Sequence, residues 1–338
     1  MNVHRIPGAR PLAITAGAAA ALAIGLAAVP ANPAGATQSP SARVANDTLT
    51  VTGTPRGDRV ALRLAPGAPG TMQVDLNDDA ITEQSFDRNT FSRIEVFLLS
   101  GSDQFRVDQA NGVIDDPATV SGGSGNDSLN GGDGIELFIG GSGNDAADGN
   151  RGNDSAALGS GRDSFRWDPG DGSDVVEGQS GTDTLDFNGA PGAENMRLSP
   201  NGGRSLFLRD AGNIRMDMDG VERLDLTALE GPDTFAVDDM SGTDFRRANV
   251  DLSSAAGGPD GQADIVTVNG TERADRIDVE TDGTSVDVEG LRTAVRISGS
   301  ESSDRLDVNS LGGNDDVDVE QAVFALIDVA VDLGSGQL

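Results

Sequence analysis

Five acidic side chains recur every nine residues between Gly122 and Arg166: Asp127, Glu136, Asp145, Asp154 and Asp163. Each is the sixth residue of a block, and the blocks read GGSGNDSLN, GGDGIELFI, GGSGNDAAD, GNRGNDSAA and LGSGRDSFR without an insertion. Glycines at the first, second and fourth positions let the backbone take positive φ, so six residues can turn tightly and aim carbonyl oxygens inward. The acid adds a charged oxygen to those carbonyls. Calcium takes about six to eight hard oxygen ligands in flexible geometry, so such a turn suits it better than magnesium or zinc. After Arg166 the register slips by two residues and resumes as PGDGSDVVE and GQSGTDTLD, with Asp174 and Asp183 at the sixth position.

A fixed short period is the sequence mark of a solenoid, and these blocks follow the pattern G-G-x-G-x-D-x-U-x. On those residues the chain resembles the RTX, or haemolysin-type calcium-binding repeat, family. The resemblance implies a parallel β-roll in which blocks i and i+2 stack on one edge with Ca2+ between their turns. Asp127, Asp145 and Asp163 would line one edge, and Glu136 and Asp154 the other. The candidate ligand turns comprise Gly122, Gly123, Gly125, Asn126 and Asp127; Glu136; Gly140, Gly141, Gly143, Asn144 and Asp145; Gly152, Asn153 and Asp154; Gly161 and Asp163; then Asp174 and Asp183. The second block departs from the pattern, since Glu136 is one methylene longer and Ile135 replaces a small polar residue. Blocks four and five each lose one of the paired glycines.

Residues 1–36 carry Arg5 and Arg10, an apolar run from Leu12 to Val29 and a closing Ala34-Gly35-Ala36, the parts of a secretory signal peptide. A single-pass anchor is the alternative, because about 18 apolar residues just span a bilayer. Many RTX proteins leave the cell by a C-terminal signal instead, so the general secretory route expected here is a departure from the family's habit. Cleavage would remove His4, the only histidine, from a chain that already lacks Cys, Tyr and Lys. The mature chain then has no Ser-His or Cys-His nucleophile, no zinc site of the usual kind and no Schiff-base lysine. With no disulfide to hold an extracellular fold, a metal ion is the available staple. Losing Arg5 and Arg10 takes the formal charge from −31 to −33, which repels nucleic acid and anionic lipid and opposes compaction until cations bind.

The elements that must position the turns are short strands. Residues 37–120 show alternating apolar pairs at Leu49/Val51, Val60/Leu62, Met72/Val74, Ile94/Val96 and Phe105/Val107. Beyond residue 186 the same grammar returns at Met196/Leu198, Leu206/Leu208, Met216/Met218, Leu224/Leu226 and Phe235/Val237, and again from Ile277 to Val319. Period-2 pairs between turn signals read as β-strands. Val51-Thr-Gly-Thr, followed by Asp58-Arg-Val60, matches Val268-Asn-Gly-Thr, followed by Asp275-Arg-Ile277. An acid also precedes the apolar pair at Asp103, Asp233, Asp304 and Asp315. The flanks therefore read as diverged relatives of one repeat module, with two β-sandwiches as the alternative. Trp167, the only tryptophan, sits at the slip between blocks and is expected to cap the roll.

The fold expected is all-β: a parallel β-roll or β-helix solenoid over 121–186, with β-rich repeat modules over 37–120 and 187–338. The expected function is that of a secreted, non-enzymatic calcium-binding protein with a structural, adhesive or cell-surface role. Its partners would be calcium ions and extracellular polysaccharide or cell-surface components, with no nucleic acid and no stable membrane span. A calcium-dependent polysaccharide lyase on a parallel β-helix is the alternative, with arginines beside acids, as at Asp275-Arg276 and Asp304-Arg305, available as bases. A two-carboxylate glycosidase also stays open on composition.

Overall fold

The computed structural model describes residues 39–334; the expected signal peptide lies outside them. The described chain is all-β. Its strands form two sheets of fourteen, and among the described residues the only helical segments are short 3-10 turns at Arg88–Thr90, Ala211–Asn213 and Gln321–Ala325. No helix among the described residues is long and apolar enough to cross a membrane.

From Gln104–Asp108 to Thr184–Asn188 successive strands alternate between the two sheets. Each nonapeptide thus contributes to the sheet opposite its predecessor. Glu136–Ser142 pairs in parallel with both Ala118–Ser124 and Ser155–Gly161, and Ala146–Asp148 with both Ser128–Asn130 and Ser164–Trp167. Pairing partners such as Leu137 and Ser155 are two blocks apart, and the later slip appears as Ser155 pairing with Val175. The eighth residue of every block points inward: Leu129, Phe138, Ala147, Ala156, Phe165, Val176 and Leu185 are all buried. Inward residues of both sheets make one continuous apolar core.

The flanking strands belong to these same two sheets. Three antiparallel meanders interrupt the parallel order, at Arg59–Asp87, Asn195–Asp219 and Arg276–Ser298. In the second meander the expected inward pair is out of step. Ser205, Phe207 and Arg209 face the core, whereas Leu208 is 36% exposed. A one-residue shift exchanges the two faces of a strand, and here the larger ring takes the interior. Phe207 packs between Phe187 and Phe235, at centroid distances of 4.4 and 6.2 Å. Trp167 is likewise no end cap. It is fully buried within the core, stacked on Phe187 at 4.1 Å, and its indole N–H donates to the Gly172 carbonyl.

Candidate metal centre

The sixth-position acids come together in rows that run across the strands, at the turns between the two sheets. In the longest row, each backbone N–H donates to the carboxylate of the acid on the next strand. Asp58 donates to Asp103 (2.7 Å), Asp103 to Asp127 (2.8 Å), Asp127 to Asp145 (2.8 Å), Asp145 to Asp163 (2.7 Å), Asp163 to Asp183 (2.9 Å) and Asp183 to Glu222 (2.8 Å). A second row runs from Glu136 to Asp154 (2.7 Å) and on to Asp174 (2.8 Å). Asp127, Asp145, Asp163 and Asp183 thus share one edge, and Glu136, Asp154 and Asp174 share another.

Each aspartate in these rows accepts with Oδ1. The other oxygen, Oδ2, is buried and without a hydrogen-bond partner in Asp103, Asp127, Asp145, Asp154, Asp163, Asp174 and Asp183. A buried carboxylate oxygen with no partner carries a large desolvation penalty. Burial accordingly lifts the carboxyls of Asp145, Asp174 and Asp183 to about 7 and that of Asp154 to about 9, with neighbouring acids adding to the rise. The same burial raises Asp127 and Asp163.

Turn geometry explains how the orphan oxygens arise. In the third block Gly141 has φ 113° and Gly143 φ 132°, the conformation that favours glycine. A Cβ on Gly141 or Gly143 would overlap the carbonyl oxygen of Gly123 or Gly125 on the stacked turn before it. A Cβ on Gly161 would meet Gly143 in the same way, and one on Gly152 would meet Gly134. A Cβ on Gly122 or Gly140 would press on Oδ2 of its own block's acid, Asp127 or Asp145. The glycines therefore leave space in which stacked carbonyl oxygens and carboxylates approach one another, a donor set of hard oxygens that fits calcium. Burial, orphaned oxygens and close-packed carbonyls all match a bound cation.

Not every candidate behaves alike. Glu136 reaches back to its own turn, where Oε2 accepts from the Gly132 N–H at 3.1 Å, and burial lifts its carboxyl to about 7. Asn126, Asn144 and Asn153 use their side-chain oxygens to accept from the N–H groups of Asn144, Arg162 and Ser173, so these amides fasten adjacent turns. Asp58 and Asp275 are self-satisfied, with Oδ2 accepting from Thr54 and Thr271 N–H.

Sequence reasoning missed Asp103 as a site residue, though an acid before an apolar pair was the available signal. Its turn has Leu99 at φ 80° and Gly101 at φ 129°, so a leucine stands where the repeat has glycine. Also missed was a group in the first meander. Asp75, Asp79 and Glu83 hold carboxylate oxygens within 4.8 Å of one another and could hold a metal ion. Burial favours a neutral Asp75, but Arg63 at 2.6 Å and the N–H groups of Asn77 and Asp79 outweigh it and keep this carboxyl below the usual range. Comparison with protein-family models and with curated proteins finds no match for this chain.

Proposed function

We propose that this chain is a calcium-binding protein whose nonapeptide turns take up calcium along the edges of a parallel β-roll, and that it acts outside the cell without catalysis. The observation that carries this reading is the row of buried Oδ2 atoms, from Asp127 to Asp183, that no protein donor satisfies. Protonation alone would not satisfy them, because a carboxylic O–H needs an acceptor in turn. A hard divalent cation supplies charge compensation and accepts carbonyl oxygens together with carboxylates.

Residues of this chain would do the rest. The glycines admit the carbonyls, the acids provide charge, and the N–H rows hold each carboxylate in place. Export rests on the signal-like residues 1–36, and a structural or adhesive role toward polysaccharide or cell-surface components rests on the acidic repeats and on the want of a Ser-His or Cys-His pair after residue 36.

A calcium titration of the chain from residue 37, followed by calorimetry and far-UV circular dichroism, tests the proposal against a variant carrying Asp127→Asn, Asp145→Asn and Asp163→Asn. Several ions bound with a gain of β structure, diminished in the variant, is the expected result. Equal binding by both chains, or none by either, overturns it.

A further inference from the structure

We propose a second cation site in the C-terminal strands, between the turns that end at Asp233 and Asp264, outside the nonapeptide block. It uses the same class of donors as the roll but none of the same residues, so it stands or falls separately.

Asp233 and Asp264 are 2% and 1% exposed. Oδ1 of Asp233 accepts from the Glu194 N–H at 2.8 Å, and Oδ1 of Asp264 accepts from the Asp233 N–H at 2.8 Å. The Oδ2 atom of each is buried and bonded to nothing. The row continues with Asp264 N–H donating to Asp304 at 3.1 Å. Three further acids lie near Asp264, and one of them, Asp260, bears on Asp233 as well. Asp260 accepts from the Gly231 N–H at 3.1 Å, the Glu301 N–H donates to Asp304 at 2.8 Å, and the charges of Asp260, Glu301 and Asp304 all bear on Asp264.

No ion pair among the described residues involves Asp233, Asp260, Asp264, Glu301 or Asp304. The nearby arginines are engaged elsewhere: Arg209 with Glu194, Arg197 with Asp238 and Arg305 with Asp307. Two unsatisfied buried oxygens, with three more acids beside Asp264 and no ion pair to any of the five, call for an external cation. Backbone geometry agrees. The turn into Asp233 has Leu229 at φ 69° and Gly231 at φ 125°, the same left-handed pair as Gly141 and Gly143. A leucine in that conformation is strained and persists only where its surroundings impose it. The ligand class is a calcium-like divalent cation held by carboxylates and backbone carbonyls.

The test is calcium stoichiometry by equilibrium dialysis on the chain from residue 37, comparing wild type, Asp233→Asn/Asp264→Asn, and the triple variant Asp127→Asn/Asp145→Asn/Asp163→Asn. Asparagine keeps the Oδ1 acceptor. The double variant is expected to lose at least one ion that the triple variant keeps, and to melt higher than wild type in EDTA but lower in calcium. An unchanged ion count, or a lower melting temperature in EDTA as well, overturns the proposal. Loss of ions from the double variant alone would sink the roll reading and leave this site standing; loss from the triple variant alone does the reverse. Should the double variant not fold, hydrogen exchange over residues 228–268 in the triple variant decides. Calcium-dependent protection there supports the site, and its absence overturns it.

Discussion

The backbone N–H of Asp145 lies 2.7 Å from Oδ1 of Asp163, while Oδ2 of Asp163 is buried and has no partner. One carboxylate therefore does two separable jobs. Asp163→Asn keeps the accepted bond, whereas Asp163→Ala also strands the Asp145 N–H. In EDTA the alanine variant is expected to be less stable than the asparagine variant by about 1–3 kcal/mol, the penalty of a buried unsatisfied donor. Both should respond less to calcium. Urea unfolding of the two side by side checks this, and equal midpoints would mean the bond contributes nothing.

The raised carboxyls set the pH response of the metal-free chain. Asp145, Asp174 and Asp183 move from 3.8 to about 7 through burial. Between those values the folded chain holds more protons than the unfolded one, so stability falls as pH rises from about 4 to about 7. In EDTA the melting temperature should therefore be higher at pH 5 than at pH 7.5. Calcium favours the ionised form and should flatten or invert that slope. A metal-free chain that melts higher at pH 7.5 would contradict the buried-acid account.

Gly143→Ala and Gly242→Ala separate backbone strain from close approach. Both residues have positive φ, but only at Gly143 would the new Cβ overlap a stacked carbonyl. Strain alone costs about 1–3 kcal/mol. Gly143→Ala should exceed Gly242→Ala in calcium, measured by denaturant unfolding; equal losses would argue against tight stacking of the turns.

Phe187 lies between Trp167 and Phe207 in the core. Phe187→Ala should destabilise by about 3–5 kcal/mol and shift the emission of the only tryptophan. Unchanged fluorescence would be inconsistent with the stacked pair.

Arg209 is buried, pairs with Glu194 and lies 5.1 Å from the Trp167 ring centre. Arg209→Met leaves Glu194 buried without its counter-charge, which should cost about 3–5 kcal/mol. Adding Glu194→Gln should recover part of that loss in a thermal melt. No recovery would assign the effect of Arg209→Met to packing.

Much of this was legible because period-2 and nine-residue patterns are local. The apolar pairs at Leu49/Val51 and Ile277/Val279 are buried strand residues, and Asp127, Asp145 and Asp163, two blocks apart in turn, are joined N–H to carboxylate in one row, the stacking that the family resemblance implied. Leu206/Leu208 misled because Phe207 and Arg209 compete for the same face, and only the tertiary aromatic row decides between them. Asp233 and Asp264 escaped notice as site residues because their relationship is a long-range one, 31 residues apart in sequence and adjacent in space. The leucines at 99 and 229 hid the turns further, since nothing in a leucine announces positive φ.

The row of acids advances one strand at a time in space, yet the intervals along the chain are 45, 24, 18, 18, 20 and 39 residues. Material inserted between two rungs, including the whole meander from Asn195 to Asp219, leaves the row intact. Such a scaffold can grow or shorten during descent without loss of its spine, and its longest intervals are natural places to graft foreign sequence.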